Sequence, residues 1–135
     1  MKNVEYSLLT VDSNTEELQK QKEKFRGKFV TLNVRSIEDA VQHLNIHVPN
    51  MVLINLEKNG DGKKILRGIN VLREQAPYRD LETAIMGEYA QNDPHVKEAL
   101  ELSTTKIYLK KPITEKAARE LLGYMQRKCE STSYW

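Results

Sequence analysis

Met51-Val52-Leu53-Ile54-Asn55-Leu56, preceded by Pro49, is the most apolar stretch of the chain, and its reading decides the fold. An unbroken apolar run, rather than an alternating one, suits a central parallel strand covered on both faces. After it comes a polar stretch from Glu57 to Lys64, rich in Gly and Asn and read as loop. Helical character returns around Leu66 or Gly68, with Ile69 and Leu72 facing inward, and stops near Pro77. Before the run, Ile37, Ala40, Val41 and Leu44 fall at i, i+3, i+4, i+7 and predict one buried helix face. Ser36 is its N-cap, with Asp39 three residues on as a weaker capping box.

Farther out the pattern repeats. Tyr6 to Val11 and Phe29 to Val34 are predicted strands, with a helix from Glu16 to Phe25 between them and Gly27 as its stop. That helix shows only Leu18 and Phe25 as a clear apolar stripe. Thr83-Ala84-Ile85-Met86 is a fourth strand ending at Gly87, and Asp93-Pro94 opens a helix with Val96, Ala99 and Leu100 inward. Ile107-Tyr108-Leu109 is a short last strand, followed by the turn Lys110-Lys111-Pro112. Thr114 then caps a helix carrying Ala118, Leu121, Leu122 and Met125. Five strands alternating with five helices predict an α/β fold, a flavodoxin-like (βα)5 doubly wound parallel sheet in order 2-1-3-4-5. In that order ligands bind at the carboxyl ends of the strands, so the residues there carry the function.

With 135 residues the chain is expected to form one domain, residues 1–128, ahead of a frayed polar tail, 129–135. No apolar run approaches the ~18 residues of a membrane span, and Met1 to Glu5 lacks the apolar core of a secretory signal. Cys129 is the single cysteine, so no internal disulfide forms, and a reducing cytoplasm is the expected compartment. A net charge of +2 is too small to argue for nucleic acid or an acidic membrane as partner.

Val11-Asp12, the strand ending in Asn55-Leu56, the segment Gly68 to Arg73, and Tyr108-Leu109-Lys110-Lys111-Pro112 together resemble the receiver domain of two-component response regulators. The resemblance runs from Tyr6 to about Lys128. It implies a site in which an aspartate ending the third strand takes a phosphoryl group from a histidine kinase. Two acidic residues after the first strand hold Mg²⁺, a Ser or Thr ends the fourth strand, and a Lys ends the fifth. This chain matches with Asp12 and Lys111 and departs with Asn55, Ser13 and Gly87.

Phosphoryl transfer to the protein needs an anionic oxygen nucleophile, and a carboxamide at position 55 supplies none. Mg²⁺ is held by carboxylate oxygens and waters, and on this reading only Asp12 remains. The expectation is therefore a degenerate receiver, a pseudo-receiver that is not an enzyme and uses no cofactor or metal. It would act by protein–protein contact in a two-component or phosphorelay system. The alternative is a receiver with atypical chemistry that uses Asp12 or Asp61 as phosphoacceptor. Asp12 and Lys111 are expected to form an inherited ion pair, and Glu88 is a candidate permanent negative charge beside Lys111. Tyr108 occupies the family's switch-aromatic position, and with Gly87 beside it a single settled rotamer is expected. The resemblance places partner contacts on the fourth helix, fifth strand and fifth helix, here including His95, Glu98, Tyr108, Lys110 and Arg119, and allows a dimer.

Other motifs carry less. Glu57 to Gly62 has the oxygen spacing of a calcium loop, but Lys64 and Gly68 stand where an apolar residue and a bidentate Glu are required. His43 and His47 lack a third metal ligand, and the run from Lys20 to Lys28 reads as a solvated helix face. No glycine-rich phosphate loop follows the first strand, which argues against a nucleotide-binding enzyme.

Overall fold

The computed structural model describes residues 6–57 and 62–132. Its elements are β1 (Tyr6–Val11), α1 (Thr15–Phe25), β2 (Phe29–Val34), α2 (Ile37–Ile46), β3 (Met51–Leu56), α3 (Gly62–Leu72), a short 3-10 turn (Ala76–Tyr78), β4 (Glu82–Gly87), α4 (Pro94–Leu102), β5 (Tyr108–Lys110) and α5 (Glu115–Thr132). The five strands form one parallel sheet in the expected order, β2-β1-β3-β4-β5.

The strand alternation of β3 explains why its run is continuous. Val52, Ile54 and Leu56 enter a core with Ala40 and Leu44 of α2, Leu66 and Ile69 of α3, and Val96 and Ala99 of α4. Met51 and Leu53 enter the opposite core with Phe25 of α1 and Ala118, Leu121 and Met125 of α5. Successive side chains point to opposite faces, so a strand with helices on both sides is apolar on both, here at every position but Asn55 near its carboxyl end.

The helix starts follow the capping chemistry. Asn14 accepts from the Glu17 N–H at 3.2 Å, Ser36 from the Asp39 N–H at 3.2 Å, Asp93 from the His95 N–H at 2.9 Å, and Thr114 from the Ala117 N–H at 3.0 Å. Each satisfies a backbone donor that has no partner within its helix.

Several boundaries differ from the sequence reading. α1 and β4 each begin one residue earlier, α3 ends at Leu72 rather than near Pro77, and three further differences have a bearing on the site or the tail. α3 begins at Gly62, four residues before Leu66, inside the stretch read as loop. Gly62 is buried against the end of β3, where a Cβ would meet Leu56 Cδ2 at 2.9 Å, so the missing side chain lets the first turn close on the sheet. β5 is Tyr108–Lys110, shifted one residue from the expected start. α5 continues through Thr132, so residues 129–132 are helical rather than frayed. The calcium-like motif falls largely on residues 58–61, which lie outside the described residues, as does Asp61.

Candidate functional site

Parallel pairing brings the ends of four strands to one edge. Val11 is level with Ile54, Leu56 with Gly87, and Gly87 with Lys110. Asp12 and Lys111, each one residue past its strand, are therefore drawn to the same edge as Asn55. The Lys111 N–H donates to the Gly87 carbonyl at 2.7 Å, and the Lys111–Pro112 peptide is cis.

Asp12 is the centre of the site. Its Oδ2 accepts from Lys111 Nζ at 2.7 Å and from Gln21 Nε2 at 2.9 Å. Its Oδ1 accepts from the Asn14 N–H at 3.0 Å and from Asn55 Nδ2 at 3.2 Å. The ion pair is buried, with side-chain exposures of 5% for Lys111 and 0% for Asp12. Asp12 and Lys111 thus meet as expected.

Asn55 turns toward this edge, and its Nδ2 also donates to Glu57 Oε1 at 3.3 Å. That same oxygen accepts from Ser13, at 3.2 Å from the backbone N–H and 2.5 Å from the hydroxyl. A second carboxylate therefore stands beside Asp12, where the sequence reading left Asp12 alone. The signal was available: Glu57 is two residues after Asn55, and residues two apart on an extended chain share a face. Gln21 was missed for a different reason, because a polar residue interrupting the Leu18–Phe25 stripe made that helix look weakly amphipathic.

A cavity of about 470 Å³ opens at this edge, with Asp12, Asn55, Glu57, Glu88, Tyr89 and Lys111 among its lining residues. Glu88 is exposed at the mouth. Among the described residues Lys111 forms its ion pair with Asp12, and no Lys111–Glu88 pair forms.

Gly87 and Tyr108 are matched in shape. A Cβ on Gly87 would meet the Leu56 carbonyl oxygen and the Tyr108 hydroxyl, each at 3.2 Å. Tyr108 is 8% exposed, and its hydroxyl donates to the Tyr89 carbonyl at 2.8 Å. Burial pushes its phenol up to about 12. Its side chain is therefore turned inward rather than displayed, whereas His95, Glu98, Lys110 and Arg119 are exposed. Lys63 of α3 reaches both the Glu98 carboxylate and the His95 ring, tying α3 to α4. His43 is half-buried and His47 exposed, and they line a separate apolar groove of about 250 Å³ beside β2.

Comparison with solved structures gives the context for this edge. The receiver domain of a CheY-like response regulator from Methylobacillus flagellatus superposes with a TM-score of 0.75 at 21% identity, covering 90% of this chain and 99% of that one. This is the receiver fold. The signal receiver domain of a Luxo repressor protein from Vibrio parahaemolyticus matches with a TM-score of 0.75 at 18% identity, over 98% and 99% of the two chains. A BeF3-activated DrrB receiver domain matches with a TM-score of 0.69 at 19% identity, over 94% and 99%. No protein-family model and no curated protein matches the sequence. Among the described residues, no helix of this receiver fold is long and apolar enough to cross a membrane.

Proposed function

We propose that this chain is a receiver-like signalling module of a two-component-type system that works by protein–protein contact, independently of phosphorylation, in the cytoplasm. The observation that carries the reading is the placement of Asn55. Its amide nitrogen, not an anionic oxygen, faces the Asp12 and Glu57 carboxylates at the carboxyl edge of β3. A carboxamide nitrogen is a poor nucleophile toward phosphorus and forms no acyl phosphate. Asp12 does not take over as acceptor, because it is buried and each of its oxygens accepts two hydrogen bonds.

Tyr108 supports the same reading. Its inward rotamer is held by the Tyr89 carbonyl and by the space above Gly87, with no phosphoryl group needed to draw it in. The surface of α4, β5 and α5 is then presented to a protein partner in one fixed arrangement. A module of this kind has no chemical step of its own and is not an enzyme.

The test is incubation of the full chain with acetyl phosphate, or with beryllofluoride, in the presence of Mg²⁺. Intact-mass measurement is expected to show no added phosphoryl group, and nuclear magnetic resonance no fluoride complex. Gain of one phosphoryl group overturns the reading in favour of an atypical phosphoacceptor.

A further inference from the structure

Gln21 lies three residues after Leu18 and four before Phe25, on the face of α1 that packs inward, and it is 1% exposed. An apolar side chain is the ordinary occupant of such a position. The buried amide is held by its donor end: Nε2 bonds Asp12 Oδ2, while Oε1 has no partner among the described residues. Turning the amide over would set oxygen against a carboxylate, so the orientation is fixed by electrostatics.

An ionised carboxylate offers about four acceptor positions. At Asp12 these are taken by Asn14 and Asn55 on one oxygen and by Gln21 and Lys111 on the other. The receiver fold implies a divalent cation at this edge, and the Asp12 carboxylate as held here does not fit one. Glu57, the second carboxylate beside it, is itself held through Oε1 by Ser13 and by Asn55 Nδ2. Such an ion needs a carboxylate oxygen at about 2.0–2.1 Å. Each Asp12 oxygen already faces two N–H donors, one of them on an ammonium that supplies positive charge itself.

We propose that Gln21 is a positioning residue that closes this site. Together with Asn55 it fills the Asp12 carboxylate with the protein's own donors and keeps divalent cations out of the cleft. The inference deepens the phosphorylation-independent reading and rests on it, but it is tested by a separate measurement.

The comparison uses the whole 135-residue chain as the native protein, Gln21→Met, Asn55→Asp and the double variant. Methionine matches glutamine in length and removes the donor. Binding of Mn²⁺ is followed by electron paramagnetic resonance of the free ion, with Mg²⁺ competition. The native chain is expected to bind no Mn²⁺ at millimolar concentration. Asn55→Asp should bind weakly, and adding Gln21→Met should tighten binding at least tenfold. Gln21→Leu in the Asn55→Asp background serves as a second donor-free variant and should tighten it similarly. Equal Mn²⁺ affinity with and without the Gln21 donor overturns the proposal, as does millimolar-or-tighter binding by the native chain. A phosphoryl gain by the native chain without added divalent cation, with the Gln21 dependence of Mn²⁺ binding intact, would instead sink the functional reading alone.

Discussion

The Tyr108 hydroxyl stands 3.2 Å from the point at which a side chain on Gly87 would begin. A Cβ there would make the hydroxyl give by a few tenths of an ångström, and a larger side chain would need the ring to move further. Gly87→Thr is expected to expel the ring, break its bond to the Tyr89 carbonyl, and destabilise the protein by about 1–3 kcal/mol through overpacking. Urea unfolding measures the loss, and the Tyr108 ring resonances report the displacement. Native-like ring shifts in Gly87→Thr would contradict that displacement.

Two tyrosines are expected to ionise late. Burial raises Tyr108 to about 12, and burial followed by donation to the Glu82 carboxylate raises Tyr124 to about 12. In the unfolded chain a tyrosine ionises near pH 10, about two units lower. The stability linked to both protons is thus fully present below about pH 10 and lost as pH rises through about 12. Tyrosinate absorbance should show two late-titrating groups, one of which disappears in Tyr108→Phe and the other in Tyr124→Phe.

Asp12 and Lys111 should be unequal in their sensitivity to truncation. Asp12→Ala strands a buried ammonium, and breaking a buried pair in this way costs about 3–5 kcal/mol. Lys111→Met should cost less, because the carboxylate keeps Gln21, Asn14 and Asn55 as donors. The double variant should fall short of the sum of the two, by the coupling that a double-mutant cycle measures.

Glu82 makes a second buried polar centre, at the amino end of β4. It accepts from Tyr124 at 2.7 Å and from Thr104 at 3.0 Å, with Lys128 Nζ 3.4 Å away. Removing one hydrogen bond to a charged group costs about 1.5–3 kcal/mol, so Tyr124→Phe is expected to fall in that range in urea unfolding. The site at the opposite edge should be untouched, with the Asp12–Lys111 pair unchanged by amide chemical shifts.

Much of the fold was legible because strand and helix periods and caps leave local marks. Val52, Ile54 and Leu56 could be assigned to a doubly covered strand from their continuity alone. Ser36, Asp93 and Thr114 cap the helices they were expected to cap, whereas the Asn14 cap emerges only in the structure. The start of α3 was hidden because its first turn depends on Gly62 fitting under Leu56, a contact made across the fold. At the site, Asp12, Asn55, Gly87 and Lys111 were singled out by the resemblance to receiver domains, applied to the predicted strand ends. Gln21 was not, since its use depends on a carboxylate nine residues earlier that helix periodicity cannot reveal. Glu57 was absorbed into a calcium-like pattern, and strand alternation past Leu56 was the better guide.

β4 is buried along its whole length, closed at one end by Tyr108 over Gly87 and pinned at the other by Glu82. Its backbone therefore has no frayed end from which opening can begin. Its amide protons should exchange with solvent only when the entire domain unfolds, which makes this strand the clock by which global stability is read.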